Sequence, residues 1–130
     1  MYKRDLITAE IEKLAQVLAR IIGLKLDGEP KEAEDLLAQT LEHSFGLNEA
    51  LLYDEDESHF KQWLAKADLP AEKLDMLNQF LFNEISADGD LVKNKMLSVR
   101  LEAIYQLLAT KHHLVHLANI KRQNIIQQYL

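Results

Sequence analysis

The sequence predicts an all-α protein built from antiparallel helical hairpins, and three observations carry this prediction. The helix-forming residues Leu, Ala, Glu, Lys and Gln dominate, while the 130 residues include only 4 glycines and 2 prolines. Alternation of apolar and polar residues, which indicates strands, is nearly absent. An amphipathic stretch, an Asp-Gly turn and a second amphipathic stretch follow one another twice, over 11–45 and 74–109. Together these observations predict six or seven helices, stacked as hairpins or as a bundle.

The first hairpin is predicted in the N-terminal part of the chain. Apolar residues recur at steps of three and four along 5–26, which is the pattern of an amphipathic helix. Asp27-Gly28 ends this helix, because glycine accepts the left-handed conformation that closes a helix. Pro30 suits the first turn of the second helix, where its missing amide costs nothing, and Gly46 ends that helix.

The middle of the chain predicts three further helices. Asn48 caps a short one, and the acidic run 54–58 forms a solvated loop and the charged start of the next, with no enzymatic role. That next helix buries Trp63. Pro70 marks the start of the third, which extends to about Ala87 and is apolar nearly all round. This third helix is therefore expected at the centre of the fold.

Two more helices complete the prediction. The turn Asp88-Gly89 leads into the sixth helix, which Asp90 can cap. The apolar pattern changes phase at 111–113, but no proline or glycine occurs there. The sequence therefore leaves open whether the sixth helix is continuous with the seventh, which is expected over 114–129.

The length of the chain, 130 residues, predicts one domain spanning 1–130. Hydrophobic residues make up 48% of the sequence, enough for a core without disulfide or metal, and no linker or low-complexity segment divides it. The residues predicted to fill this core are the large side chains on the inner helix faces: Leu14, Leu18, Leu37, Leu41, Trp63, Leu77, Phe80, Leu81, Leu101, Ile104 and Leu108.

The composition excludes several classes of function. Without cysteine there is no disulfide, thiolate metal site or cysteine nucleophile, which fits a cytoplasmic protein. No run approaches the roughly 18 apolar residues of a membrane span. Glycine-rich phosphate loops, nucleophile elbows and the paired Glu-x-x-His motifs of di-iron bundles are also missing from the sequence. The sequence therefore predicts no enzymatic activity and no cofactor.

The charge distribution bears on the class of partner. The net charge of −6 argues against nucleic acid and anionic lipid as general partners. The charge is uneven, however: Lys31 is the only Lys or Arg in 27–57, whereas Glu102 is the only acidic residue from Leu91 onward. Two interpretations remain open. The two stretches are solvated faces that attract each other within the fold or in a dimer, or the basic one is a platform for an acidic partner.

Part of the first hairpin resembles the second helix of a tetratricopeptide repeat. The turn glycine Gly28 is followed by the pair Glu32-Ala33 and later by Thr40-Leu41, as in that family. The resemblance implies stacked helical hairpins that take a peptide or a partner helix. The repeat's aromatic and proline positions and its tandem recurrence are missing, so a plain helical bundle is the alternative.

The chain as a whole also resembles a family of small, all-helical bacterial proteins of unknown function that begin Met-Tyr-Lys-Arg-Asp. The segments 1–5 and 14–20 carry this resemblance. It implies a bacterial origin and an all-helical fold, and it supplies no activity.

Two polar clusters contain the residue types of metal sites. In an EF-hand register, the second Asp-Gly turn would place the bidentate acid on Lys95, a cation, so calcium is not expected there. His112 and His116 would lie one turn apart if their segment is helical, as two zinc or nickel ligands do, but no third ligand follows them. Surface or helix-terminal histidines are the simpler interpretation.

The sequence therefore predicts a non-enzymatic protein–protein interaction module. Its C-terminal helix carries apolar residues that no later segment covers, and Ile125, Ile126 and Tyr129 are the candidate partner-binding residues. The expected partner is a protein or peptide, which includes a second copy in a homodimer or another protein's helix. A small metal- or ligand-binding helical protein that uses His112 and His116 is the alternative.

Overall fold

The fold was described from a computed structural model, which covers residues 2–130 and their side chains from Arg4 onward. Over these residues the chain forms seven α-helices and no strand, so the all-α prediction is confirmed. A π-helical turn, Leu41–Phe45, continues the second helix, and a 3₁₀ turn, Gln127–Tyr129, follows the last. The helices are α1 (Tyr2–Leu26), α2 (Pro30–Thr40), α3 (Glu49–Leu52), α4 (Glu57–Ala67), α5 (Ala71–Phe82), α6 (Leu91–Thr110) and α7 (Leu117–Ile126).

The contacts divide the chain into two compact units. The first is Met1–Glu49 and the second is Ala50–Leu130. The organisation of the chain as a single domain stays a prediction. None of the helices in residues 2–130 is both long and apolar enough to cross a membrane.

The first unit is a helical hairpin in which α1 packs against α2. Gly28 adopts φ 76°, and the N–H of Glu29 donates to the carbonyl of Leu24 at 2.8 Å, so the backbone itself closes α1. The next helix begins at Pro30, as its sequence predicts, and Gly46 at φ 73° ends the π-helical turn. The buried apolar residues of this unit are Leu14, Ile21, Ala33, Leu37, Leu41, Phe45 and Leu47.

The second unit is arranged around α5 and α6. Helix α6 packs against α4, α5 and α7, so it shares the centre of the unit with α5. The buried side chains of α5 have almost no solvent exposure, which agrees with its nearly all-round apolar sequence. The most deeply buried residues of the unit are Leu52, Phe60, Leu74, Leu77, Phe80, Leu81, Leu97, Leu101, Ile104, Leu108 and Ile126.

The structure corrects the end of one predicted helix and decides one boundary that the sequence leaves open. Helix α5 ends at Phe82 rather than near Ala87, because the N–H groups of Glu84 and Ile85 turn back onto carbonyls three residues earlier. Helices α6 and α7 are separate: the chain leaves the helix after Thr110 and resumes it at Leu117.

The predicted core is buried with two exceptions. Leu18 is half-buried because it lies at the edge of the stripe that Leu14 and Ile21 define on α1. Trp63 is also half-buried, and it borders a surface groove together with His59. Both residues lie on the apolar side of their helices, but next to solvent.

Candidate interaction surface

The outer face of α7 carries three exposed apolar side chains at helical spacing. Leu117 is 71% exposed, Ile120 41% and Ile125 44%. Successive residues of an α-helix turn by about 100°, so these three side chains share one side of α7 with Lys121 and Asn124. Lys121 and Asn124 are also exposed. We call these five residues the α7 face.

The candidate partner-binding residues lie in three different environments. Ile125 belongs to the α7 face, Ile126 is fully buried, and Tyr129 is half-buried in the 3₁₀ turn. The two adjacent isoleucines point apart, and only the first reaches the surface. Ile126 therefore contributes to the core of the unit rather than to a surface. Leu117 and Ile120 complete the exposed face, and their helical spacing from Ile125 is the sequence signal that could have identified them.

A buried hydrogen-bond network holds α7 against α5. Asn78 on α5 has no solvent exposure, and its Nδ2 donates to Oδ1 of Asn119 on α7 at 2.9 Å. Nδ2 of Asn119 donates to Oδ1 of Asp75 at 2.9 Å, and Nη1 of Arg122 donates to Oδ1 of Asn119 at 2.7 Å. Buried amides that are satisfied in this way favour one helix register, because any slip leaves them without partners.

The network extends to α6 through Tyr105. Its hydroxyl donates to Oδ1 of Asn78 at 2.5 Å. Burial raises the pKa of Tyr105 well above its usual range, while the nearby charge of Arg122 opposes this shift. The phenol therefore stays protonated and serves as a donor. The guanidinium of Arg122 also lies 5.7 Å from the centre of the Phe82 ring, so it packs against α5 as well.

Two asparagines on apolar helix faces are the sequence signal for this network, and hydrophobic periodicity alone does not identify it. Asn78 lies between Leu77 and Phe80 on the most apolar helix, and Asn119 interrupts the inner face of α7. A polar residue inside an apolar stripe must find a buried partner or a ligand. The periodicity gives the position of such a residue, but it does not give the partner.

Arg100 organises a second polar centre in this unit. Its side chain is 3% exposed, and its Nε donates to the carbonyl of Leu52 at 3.0 Å. Its Nη2 donates to the carbonyl of Asp54, and its guanidinium carbon lies 5.8 Å from the centre of the Phe60 ring. Burial lowers the pKa of Arg100, with Glu57 and Asp54 opposing that shift, and the guanidinium stays charged at neutral pH. Arg100 thereby ties the start of the acidic loop to α6.

The acidic run forms the loop and helix start that its sequence predicts. The carboxylate of Asp56 caps α4 by accepting from the N–H of Ser58 at 3.0 Å. Nδ1 of His59 lies 2.7 Å from Oδ2 of Asp54. The hydrogen bond to Asp54 raises the pKa of His59, and the same bond lowers the pKa of Asp54. These contacts are local and exposed, and they define the start of α4.

The two histidines do not share a helix face. The segment from Lys111 to His116 is not helical, and His116 is the residue that precedes the first turn of α7. The one-turn spacing that a pair of metal ligands needs is therefore absent for His112 and His116. Over the described part of the chain, no three His, Cys, Asp or Glu side chains are grouped to hold a metal ion.

Comparison with known proteins supplied no relative. No family model matches the chain, and no curated protein or solved structure matches it either. The resemblances to tetratricopeptide repeats and to a bacterial helical family stay predictions from the sequence.

Proposed function

We propose that this protein is a non-enzymatic interaction module that binds a protein partner through the α7 face. The observation that carries the proposal is the exposure of Leu117, Ile120 and Ile125 on one side of a single helix. A continuous ridge of apolar side chains on a folded unit indicates a binding surface more strongly than scattered apolar residues do.

The proposal is supported by the way in which α7 is held. Asn119 and Ile126 fasten the opposite side of the helix, one by hydrogen bonds and the other by packing. A surface whose backbone is already fixed loses little conformational freedom when it binds. Such a surface suits a partner that packs a helix along it.

The expected affinity is moderate. Fully burying a Leu or Ile side chain contributes about 1.5–3 kcal/mol, so covering the exposed parts of these three side chains contributes on the order of 3 kcal/mol. Two molecules that associate lose about 4–15 kcal/mol of translational and rotational freedom, so the apolar side chains of the partner must be buried as well for a complex to form. The α7 face alone therefore predicts a transient complex, which neighbouring polar contacts would strengthen.

The test compares two pairs of substitutions that each replace two exposed apolar side chains by Ser. Leu117→Ser with Ile120→Ser changes the α7 face, and Leu91→Ser with Val92→Ser changes the exposed first turn of α6. The full chain and both variants are tagged and used for quantitative capture from the cells that make the protein. We expect one or more proteins to be retained by the wild type and by the α6 variant and lost from the α7 variant.

Thermal unfolding of each variant keeps this test interpretable. Leu117, Leu91 and Val92 are largely solvent-exposed and Ile120 is 41% exposed, so both variants should unfold within a few degrees of the wild type. Equal retention of every captured protein by the two folded variants would contradict the proposal, as would the absence of any captured protein.

A further inference from the structure

The α7 face carries a positive charge in addition to its apolar side chains. No Asp or Glu occurs in the sequence after Glu102, although the chain as a whole has a net charge of −6. Lys121 is exposed and lies between Ile120 and Ile125 around the helix. Over residues 4–130, no carboxylate forms an ion pair with Lys121. The face therefore combines three apolar side chains with an unneutralised cation.

The other cations near α7 are already engaged. Arg122 donates to Asn119 and lies over the Phe82 ring, and Lys111 pairs with the carboxylate of Asp68. Lys121 is thus the cation of α7 that is available to bind an acidic group of another molecule. It lies among the apolar side chains of the α7 face. A carboxylate placed there would be partly desolvated, where a charge contact is stronger than in open water.

We propose that the α7 face binds an acidic amphipathic helix of another protein, an inference that rests on the proposed function above. Apolar side chains at helical spacing on the partner pack against Leu117, Ile120 and Ile125, and an Asp or Glu on the same helix faces Lys121. This is the helix-on-helix mode of recognition, in which apolar anchors give affinity and the charge fixes register and orientation.

A second copy of this chain fits the face less well. Packing α7 on its own twofold mate would bring Lys121 against Lys121, which is repulsive. The acid-rich helix of this chain is α2, and none of the large exposed apolar side chains found from Arg4 onward lies on it. A copy of this chain therefore offers an acidic helix without an apolar ridge.

An anionic membrane also fits less well. Each Lys or Arg near an anionic surface contributes about 1 kcal/mol, and α7 has a single unengaged one. Ile120 and Ile125 are each less than half exposed, so they insert only shallowly. One cation and a shallow ridge are too little for stable membrane binding.

The experiment places a photo-activated cross-linking amino acid at Asn124 in the full chain, inside the cells that make the protein. Asn124 lies on the α7 face and is exposed, so its replacement leaves the core intact. The same amino acid at Lys95, an exposed position on α6, is the matched control. We expect position 124 to cross-link a peptide of another protein that carries Asp or Glu beside apolar residues at helical spacing.

The cross-linked peptide is then synthesised and titrated with the purified chain. We expect Lys121→Glu to raise its Kd at least fivefold, and we expect a peptide with its facing Asp or Glu changed to Lys to recover most of that loss with the variant. This reciprocal exchange is a readout that a merely destabilised chain does not give.

Each remaining outcome bears on one proposal or the other. Four outcomes overturn the acidic-helix inference: a cross-linked peptide without acidic residues, a cross-linked peptide of this chain, a lipid adduct, or no effect of Lys121→Glu. Where a protein is bound, these outcomes leave the proposed interaction module standing. Cross-linking that is absent or equal at positions 124 and 95 contradicts both.

Discussion

The two hairpin turns share the dipeptide Asp-Gly but are built by different means. At the first turn, the N–H of Gly28 donates to the carbonyl of Lys25 at 3.2 Å, and Glu29 reaches back to Leu24. This pair of bonds, with Gly28 at φ 76°, is the Schellman arrangement, in which the backbone alone closes the helix. The connection between α1 and α2 is accordingly only three residues long.

At the second turn, a side chain bonds to the backbone in addition to the bond that the N–H of Gly89 donates to the carbonyl of Ser86 at 3.0 Å. Nδ2 of Asn94 donates to the carbonyl of Ser86 at 2.7 Å, and its Oδ1 accepts from the N–H of Ser86 at 3.3 Å. Gly89 is not in the left-handed region, and a Cβ added to it would lie 3.2 Å from Cβ of Ser86. Glycine is present there for space rather than for conformation. Two copies of a short motif therefore do not establish two copies of a structure.

The largest effect is expected from removing the side chain that holds the second turn. Asn94 is 1% exposed, so Asn94→Ala removes both of its hydrogen bonds to Ser86 together with buried side-chain packing, which should lower the free energy of unfolding by about 1–3 kcal/mol. Urea denaturation followed by circular dichroism measures this change. Asn124→Ala, at an exposed position, is the control and should change the free energy by less than about 0.5 kcal/mol. Equal effects of the two substitutions would show that Asn94 does not hold the turn.

The next effect should come from the backbone of the first turn. Gly28→Ala forces an L-residue into the left-handed region and should cost about 1–2 kcal/mol. Gly23→Ala lies within α1, where a Cβ meets nothing within 4 Å, and should instead stabilise the chain by about 0.5–1 kcal/mol. Chemical denaturation of both variants checks the opposite signs. A neutral Gly28→Ala would remove the proposed role of the left-handed glycine.

A smaller effect is expected at the glycine of the second turn. Gly89→Ala keeps an ordinary backbone conformation, and its methyl group crowds Ser86, which lies in an exposed turn that can shift. We expect a loss of about 0.5 kcal/mol, below the usual overpacking cost of about 1–3 kcal/mol because the site is not in the core. Denaturation beside Gly28→Ala measures the difference between the two turns. A loss at Gly89 as large as that at Gly28 would contradict the distinction drawn above.

The smallest effect concerns the start of α4, another helix end that side chains define. The contact between protonated His59 and ionised Asp54 contributes while pH lies between their shifted pKa values. It is lost as pH rises through the pKa of His59, which lies above 6.5, or falls through that of Asp54, which lies below 3.8. Asp54→Asn should therefore return the pKa of His59 toward 6.5, as followed by NMR titration. Glu55→Gln is the neighbouring control, and an equal shift in both variants would assign the effect to general charge.

The difference between the turns also explains which parts of the fold were predictable. The end of α1 and the start of α2 depend on residues next to the turn, Gly28 and Pro30, so the local sequence contains their cause. The end of α5 follows from the backbone bonds of Glu84 and Ile85, and the turn after it is held by Asn94 in the following helix, a contact that no local rule reports. Helix periodicity in the sequence continues past the residue at which α5 ends.

Part of the candidate site was likewise predictable from the sequence, and part was not. Helical spacing was enough to separate the exposed Ile125 from its buried neighbour Ile126 once the orientation of α7 was known. That orientation is set by Asn119 bonding to Asn78 on another helix. Hydrogen bonds between residues far apart in sequence leave no periodic signal, so the apolar face could be predicted and its direction could not.

The position of Trp63 has a consequence for how unfolding is observed. It is the only tryptophan in the chain and lies on α4, within the second unit, with its ring 5.5 Å from that of Phe60. Its fluorescence emission therefore reports the loss of structure in Ala50–Leu130, whereas far-ultraviolet circular dichroism sums the helices of both units. Coincident denaturation curves from the two signals would mean that one cooperative transition includes the N-terminal hairpin. Separated curves would give each unit its own stability, without any label being added to the protein.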